Sequence, residues 1–260
     1  MSLSYVICTT PRSGSTLLCQ GLKNTGRAGA PAEFFDHPEE GIGWSDYWMR
    51  HFAISRKSEF ADKIVDATIT PNGVFGTKLH WTTYPNMHRA LCDSLAPHCV
   101  DVQHSSLNEL LHAKFSAVRY IWLRRLNKVA QGISHFRAAR SGLWEIPKGH
   151  LGESGAGDAV EFDFRMIDHC IMLANEHDRQ WENHFKRERL MPLQLVYEDF
   201  VASYDPTLRK VLDYLDVPHS DLPETEPQLE RMADLKSFEM EKKYREIKLG
   251  SPAGIRIRDA

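Results

Sequence analysis

The sequence predicts an α/β fold with a mostly parallel central sheet flanked by helices. Three patterns support this: short runs of β-branched and aromatic residues typical of strands, helical periodicity between them, and a polar turn joining the first strand to a helix. Strands that alternate with helices favour parallel pairing, because a helical crossover returns the chain to the same end of the sheet. The predicted strands are Leu3 to Thr9, Gly73 to Leu79, Val118 to Leu123 and Leu193 to Val196.

The helices are predicted from the spacing of apolar residues. Leu17, Leu18 and Leu22 have the spacing of the buried face of a helix that begins after the first strand and its turn. The other predicted helices are Glu59 to Ala67, Asn86 to Ala96, Lys128 to Ala139, Phe162 to Arg187 and Pro206 to Leu215. Weakly patterned stretches are candidates for lids and substrate loops. They are His37 to Arg56, Gly142 to Asp158 and the tail beyond Pro218.

The composition predicts one globular domain over residues 1–260. The chain has 260 residues, of which 42% are hydrophobic and 26% charged, enough apolar material for a single large core. Its formal net charge of -3 gives no overall basic field, so nucleic acid is not an expected partner. A phosphate site would have to use a few placed cations and backbone N–H groups.

The cysteines and the hydropathy pattern predict a cytoplasmic protein. The five cysteines are odd in number and form no CxxC pair, which favours free thiols in a reducing compartment. The sequence has no leader-like pattern at its start and no apolar run of the roughly 18 residues that a membrane helix needs. We therefore expect no membrane span.

A polar loop, Thr9 to Thr16, follows the first predicted strand and opens the first predicted helix. In this context backbone N–H groups and the helix dipole bind anions. Compared with the P-loop of nucleoside triphosphatases, the loop keeps Gly14 and Thr16, but Ser15 replaces the phosphate-binding lysine and the cation is Arg12. The pattern favours a phosphate site that does not serve ATP. The alternative is a plain turn in which Gly14 supplies backbone freedom and Thr16 caps the helix.

The Thr9 to Thr16 loop resembles the phosphosulfate-binding loop of sulfotransferases that use 3′-phosphoadenosine 5′-phosphosulfate (PAPS), in particular the bacterial trehalose sulfotransferase type. Gly29 to Phe35 resembles that family's Glu-Phe-Phe acceptor motif, and Thr70 to Trp81 its Pro-Asn-Gly and Lys-Leu strand. Ile121 to Ser134 resembles its segment that holds the nucleotide 3′-phosphate. The resemblance spans almost the whole chain. It implies PAPS as co-substrate, contacted by Arg12, Ser13, Gly14, Ser15 and Thr16.

The positions that match the family's 3′-phosphate contacts are Arg125 and Ser134. An arginine at the end of a strand and a serine on the following helix can converge on one phosphate, the arginine through two parallel hydrogen bonds. Asn127 and Lys128 depart from the family pattern, which often has an aspartate and an apolar residue there. The alternative is that Arg125 is a solvated surface charge and Ser134 has no role in binding.

Sulfuryl transfer needs a base for the proton of the acceptor hydroxyl and cations for the charge on the transferred group. Arg12 and Lys78 are the candidate cations, so no metal is required, and the 13 histidines form no metal-binding pattern. Glu33 matches the family's base, and we expect its apolar neighbours to raise the pKa of its carboxyl. His80, two residues after Lys78 on the same side of the strand, resembles the histidine of animal cytosolic sulfotransferases. We favour Glu33 as the base.

The sequence therefore predicts an enzyme that transfers a sulfuryl group from PAPS to a hydroxyl group. The resemblance implies a carbohydrate or glycolipid acceptor similar to trehalose, and a homodimer. Tryptophans near the acceptor segments support a carbohydrate only weakly, because tryptophan more often anchors a core or a lid. They are Trp44, Trp48, Trp81 and Trp144. Two alternatives stay open: an ATP-dependent kinase on a divergent P-loop, and a nucleotide-binding protein without catalysis.

Two further polar segments lie late in the chain. We interpret Tyr197 to Phe200, after the last predicted strand, as packing and helix entry rather than chemistry. Lys242 to Arg245 resembles the basic C-terminal segments that close over the nucleotide in many sulfotransferases. A charged, solvated helix is the simpler interpretation of this segment.

Overall fold

The computed structural model describes residues 2–36, 44–97, 102–149, 160–230 and 232–250. The chain falls into two compact units. The first comprises Met1–Leu126 and Glu176–Gln228, and the second Asn127–Asn175 and Leu229–Ala260. The single domain predicted for residues 1–260 stays a prediction.

The described residues of the first unit form a four-stranded, wholly parallel sheet, which confirms the predicted fold class. The strands are β1 (Leu3–Thr9), β2 (Val74–His80), β3 (Ala117–Arg124) and β4 (Leu193–Val196), in the spatial order β2-β1-β3-β4. Thr9 pairs with His80 and with Leu123, so the carboxyl ends of β1, β2 and β3 meet. In open α/β sheets, ligands bind at this end, where the strand order reverses.

Helices account for most of the remaining regular structure. In the described part of the chain they are α1 (Ser15–Asn24), α2 (Trp44–His51), α3 (Phe60–Thr68), α4 (Tyr84–Leu95), α5 (Leu107–Lys114), α6 (Lys128–Ser141), α7 (Phe164–Glu188), α8 (Tyr197–Ala202), α9 (Tyr204–Tyr214) and α10 (Leu235–Gly250). Each segment predicted as a helix contains one. The weakly patterned stretch from His37 to Arg56 contains α2. Residues 37–43 of this stretch lie outside the described residues.

Alternate residues of β1 point to opposite faces of the sheet and into two separate hydrophobic cores. Val6 and Cys8 lie in the core that α3, α4, α5 and the second half of α7 cover. Tyr5 and Ile7 lie in the core that α1, α8 and α9 cover. Because helices bury both faces, the strands consist of nearly continuous buried residues, which is typical of parallel sheets.

In the second unit α6, the first half of α7 and α10 share a smaller core. Its members include Phe136, Ile167, Met240 and Tyr244. The tail beyond Pro218, which is weakly patterned in the sequence, contains this helix α10. Only Met240 and Tyr244, one turn apart, are buried in α10, so its apolar pattern is too sparse to detect.

The segment that precedes Glu33 runs along the outer edge of β2. The backbone N–H of Lys78 donates to the carbonyl of Ala32 at 3.0 Å. Gly29, at φ 73°, approaches β2 so closely that a Cβ atom there would lie 3.0 Å from the backbone nitrogen of Gly76. Glycine is required at this position for the approach and for the left-handed conformation.

The described cysteines are free and buried, as expected: Cys8, Cys19, Cys92 and Cys170. Cys99 lies outside the described residues. Among the helices of the described ranges, none is long and apolar enough to cross a membrane.

Candidate active site

The Thr9 to Thr16 loop joins β1 to α1 through two residues in the left-handed region, Arg12 at φ 64° and Gly14 at φ 86°. Gly14 is the N-cap of α1 and, as a glycine, it provides no side-chain cap. Thr16 lies inside α1 as its second residue, so it is not the cap that the plain-turn alternative requires. The N-cap residue therefore does not compete with an anion for the first amides of α1.

Two buried side chains fix the start of this loop. The hydroxyl of Thr9 contacts the hydroxyl of Ser13 and donates to the carbonyl of Leu123 at 3.1 Å. Both hydroxyl residues are fully buried. The loop is therefore tied to the end of β3, and Ser13 acts here through its contact with Thr9.

Glu33 is positioned by its neighbours on both sides. Phe34 and Phe35 are buried in the core under α3, and Phe34 packs edge-on against Trp48 with 5.0 Å between ring centroids. The indole nitrogen of Trp48 donates to the backbone carbonyl of Glu33 at 3.0 Å. These anchors, with the bond between Ala32 and Lys78, leave the Glu33 side chain facing the carboxyl end of β2.

The Glu33 carboxylate bridges the two candidate residues of β2. Its Oε2 lies 2.8 Å from Nζ of Lys78, and its Oε1 lies 3.0 Å from Nε2 of His80. The Glu33, Lys78 and His80 side chains are 19%, 11% and 9% exposed, so the cluster is largely removed from water. This confirms that Lys78 and His80 lie on the same side of the strand.

The predicted pKa shift of Glu33 was wrong in direction. Burial does oppose ionisation, but the charges and hydrogen bonds of His80 and Lys78 outweigh it and hold the pKa of Glu33 well below its ordinary value. The apolar neighbours in the sequence are present as expected. The two basic groups that determine the result come from another strand.

Both ring nitrogens of His80 face oxygen atoms. Nδ1 lies 3.4 Å from the carbonyl oxygen of Thr9, which also accepts a 3.1 Å hydrogen bond from the indole nitrogen of Trp181. His80 thus connects Glu33 to the first residue of the Thr9 to Thr16 loop. Trp181 lies on α7, far from Thr9 in the sequence, and no sequence pattern indicated this contact.

Three further titratable residues are electrostatically coupled to the cluster, and sequence reasoning missed them. Burial first, and then the charge of Glu33, raise the pKa of Asp36. Burial first, and then the charge of His80, lower the pKa of His177. Burial is the main cause that raises the pKa of Cys19 to about 12. The charge of Lys78 opposes this rise, and the charge of Glu33 adds to it. Only Asp36, three residues after Glu33, could have been found from its proximity in the sequence.

Arg125 lies beside the Thr9 to Thr16 loop. Its Nη1 donates to the carbonyl oxygen of Arg12 at 3.3 Å, and its guanidinium lies 4.7 Å from the ring centroid of Tyr197. Its Nε lies 4.0 Å from Oε1 of Glu198. Arg125 is only 12% exposed, which is inconsistent with a solvated surface charge.

Ser134, the second matched position, belongs to the second unit, where it is half-buried on α6. Its role in binding stays a prediction. Asn127, which departs from the family pattern, accepts a hydrogen bond from the backbone N–H of Ala130 at 3.0 Å and so caps α6. An aspartate would form the same cap, so this substitution preserves the local structure.

Two of the four tryptophans near the acceptor segments pack against other aromatic rings. Trp48 packs against Phe34, and Trp81 stacks on Tyr84. Trp144 is 46% exposed, and the side chain of Trp44 lies outside the described residues. Within the described ranges, no group of three or more histidine, cysteine, aspartate and glutamate residues could hold a metal ion.

The Lys242 to Arg245 segment lies on α10. Tyr244 is buried there, while its three basic neighbours are exposed. The interpretation as a charged, solvated helix is confirmed.

A parallel sheet with a polar strand-to-helix loop and a charged cluster at its carboxyl end is typical of α/β group-transfer enzymes. The family model of the Stf0 sulphotransferases matches residues 4–247. The chain therefore belongs to the Stf0 sulphotransferase family.

The chain is also similar to individual known proteins. The trehalose 2-sulfotransferase of Mycolicibacterium smegmatis is 28% identical, and that of Mycobacterium tuberculosis 26% identical, each over 93% of this chain and 94% of the relative. A solved sulfotransferase from Alicyclobacillus acidocaldarius is 12% identical, with a TM-score of 0.49 over 93% of this chain and 91% of its own. The sulfotransferase domain of the Synechococcus PCC 7002 olefin synthase is 18% identical, with a TM-score of 0.45 over 98% and 91%.

Proposed function

We propose that the protein transfers a sulfuryl group from PAPS to a hydroxyl group of a carbohydrate or glycolipid similar to trehalose. The observation that carries the proposal is the Glu33 carboxylate, held between Lys78 and His80 and connected through His80 to the Thr9 to Thr16 loop. The similarity to the two mycobacterial trehalose 2-sulfotransferases supports a carbohydrate acceptor.

In this proposal the donor is held by the Thr9 to Thr16 loop and by Arg125. The first amides of α1 and the Arg12 side chain would bind the phosphosulfate, with Ser13, Gly14, Ser15 and Thr16 shaping the loop. Arg125, together with Ser134, would bind the 3′-phosphate. PAPS supplies an activated sulfuryl group whose bond to the 5′-phosphate breaks as the bond to the acceptor oxygen forms.

Glu33 would take the proton of the acceptor hydroxyl. Its low pKa keeps it ionised, and therefore able to accept a proton, throughout the neutral range. Lys78 would stabilise the negative charge on the transferred group. An anionic donor beside Lys78 would weaken the pull of that lysine on Glu33 and so make the carboxylate a stronger base when the substrate is bound.

The test is an acceptor screen driven by PAPS, with mass spectrometry to detect sulfated products. It is paired with thermal melts in the product nucleotide 3′-phosphoadenosine 5′-phosphate (PAP) and in ATP with magnesium. We expect PAP alone to stabilise the fold, by about 2.7 kcal/mol at a hundredfold excess over its Kd, and ATP to do much less.

Other outcomes identify the alternatives. Equal stabilisation by PAP and by ATP with magnesium would favour the kinase. Binding of PAP without sulfation of any acceptor would favour a nucleotide-binding protein without catalysis.

We also propose that the protein forms a homodimer, which light scattering of the purified chain tests. We propose a cytoplasmic location for it.

A further inference from the structure

The short helix α8 places two residues against the proposed donor site. β4 ends at Val196, and α8 begins at Tyr197. The Tyr197 ring lies under the guanidinium of Arg125 and packs against Gly14, where a Cβ atom would approach Cε2 of the ring to 2.8 Å. Tyr197 therefore contacts both the loop and the arginine that the proposed function assigns to the nucleotide.

Glu198 holds the chain where it leaves β3. Its Oε2 accepts a hydrogen bond from the backbone N–H of Leu126 at 3.0 Å, and its Oε1 lies 4.0 Å from Nε of Arg125. One carboxylate thus contacts the backbone after Arg125 as well as its side chain. The Glu198 side chain is 37% exposed, so water only partly screens its charge.

Contacts on three sides define the position of the Arg125 guanidinium. They are the Tyr197 ring, the Glu198 carboxylate and the carbonyl oxygen of Arg12. An arginine loses considerable rotamer freedom when it binds an anion, and contacts that order it beforehand reduce that cost. The same contacts direct Arg125 toward the loop that Gly14 and Arg12 form.

We propose that Glu198 is a positioning residue for nucleotide binding, acting through Arg125 to favour ligands that carry a 3′-phosphate. The inference rests on the proposed function, because it takes PAPS as the donor. Glu198 itself does not contact the nucleotide. It holds the Arg125 side chain in the orientation that binds the 3′-phosphate. It also holds the backbone N–H of Leu126, the residue that follows Arg125.

The test uses the full chain with the variant Glu198→Gln. Glutamine keeps the size of the side chain and its acceptor oxygen for Leu126, but it removes the charge that attracts Arg125. Calorimetry with PAP should show a Kd about three- to tenfold higher, since an orienting contact with a charged group is lost. Adenosine 5′-phosphosulfate, which lacks the 3′-phosphate, should bind within about twofold of its wild-type Kd. Asp199→Asn, an identical charge change at the next, exposed position, should leave both values unchanged.

A double variant shows whether the effect passes through Arg125. In an Arg125→Ala background, Glu198→Gln should have no further effect on PAP binding, because the residue that it positions is gone. A full additional loss in that background would overturn the proposal, as would an equal loss for both ligands or a tighter binding of PAP by Glu198→Gln. If the wild-type protein does not bind PAP at all, the proposed function fails as well. If the wild type binds PAP and Glu198→Gln has the same Kd for PAP, this inference alone is overturned.

Discussion

The imidazole of His80 and the carboxylate of Glu33 lie in contact, with 3.0 Å between Nε2 and Oε1. The other ring nitrogen of His80 lies 3.4 Å from the carbonyl oxygen of Thr9. One side chain thus connects the proposed base to the loop. A substitution of His80 changes the surroundings of Glu33, so the effects of the two residues on catalysis have to be measured together.

Glu33→Gln should reduce turnover by about 10²- to 10⁴-fold while the affinity for PAP stays unchanged. The amide keeps the shape of the side chain and part of its hydrogen bonding but cannot take the acceptor proton. Steady-state kinetics and calorimetry with PAP measure the two quantities. His80→Asn is the comparison, and its effect should be much smaller in turnover and appear mainly in the acceptor KM. A tenfold or smaller loss in Glu33→Gln beside a thousandfold loss in His80→Asn would make His80 the base.

Lys78→Met should move the acidic limb of kcat/KM to higher pH. The folded-state pKa of Glu33 is lowered, so its ionised form is lost only as the pH falls through that low value, well below the ordinary range. Methionine removes Lys78, one of the two groups that lower the pKa of Glu33. The burial of Glu33, which raises that pKa, remains. Turnover should fall as well, because the charge on the transferred group loses a cation. Lys63→Met, at an exposed lysine of α3, is the control, and an unchanged limb in Lys78→Met would contradict the prediction.

Arg125→Ala should weaken binding of PAP by roughly 1.5 to 3 kcal/mol, the usual cost of a lost hydrogen bond to a charged group. Adenosine 5′-phosphosulfate should bind almost as before. Arg124→Ala is a matched control, since the neighbouring guanidinium lies over Trp122 and bonds to Gln194 instead. If calorimetry gives equal losses for both ligands in Arg125→Ala, then Arg125 supports the structure and not the 3′-phosphate.

Gly14→Ala should destabilise the fold more than Gly26→Ala does. Both glycines have positive φ, 86° and 65°, so an alanine costs about 1–2 kcal/mol at either position. Only at Gly14 would the new methyl group meet Tyr197, whereas nothing lies within 4 Å at Gly26. Urea unfolding of the two variants measures the difference. Equal midpoints would mean that Tyr197 moves away without cost.

The buried His184 should make the fold less stable in mild acid. Burial is the main cause that lowers its pKa to about 4, and its Nδ1 accepts a hydrogen bond from Arg187 at 3.2 Å. Between pH of about 6.5 and 4 the unfolded chain binds a proton that the folded chain does not, so stability falls as the pH falls, by about 2 kcal/mol from pH 7 to pH 5. Urea unfolding at both pH values should show a smaller difference in His184→Gln. His112→Gln, at an exposed histidine, should leave the difference unchanged.

The strands could be predicted because parallel strands buried on both faces are short apolar runs with polar ends. β1 and β4 have the predicted bounds, and β2 and β3 differ by one residue at each end. The helix α5 was missed because it has only eight residues. A signal was present, since Ser106 and Glu109 form a capping box that the sequence pattern S-x-x-E indicates.

The sequence could indicate which candidate residues come together, but not the electrostatics of the cluster that they form. Glu33, Lys78 and Arg125 each follow a motif, and the structure brings the first two into contact. The pKa of Glu33 depends on residues that lie distant in the sequence, so its apolar neighbours alone gave the wrong sign. Tyr197 and Glu198 were interpreted as packing, because their contact with Arg125 depends on how β3 and β4 pair, which single-strand patterns do not show.

The segment that carries Glu33 also protects the protein from aggregation through the β2 edge of its sheet. β2 is an edge strand, and an uncovered edge offers its backbone N–H and C=O groups to the strand of another molecule. Here Ala32 accepts from Lys78, and Gly29 lies directly against Gly76, so the backbone of the segment occupies that edge. A substitution that loosens this segment should therefore cause aggregation together with the loss of turnover. The same few residues would then serve both solubility and the proposed catalysis.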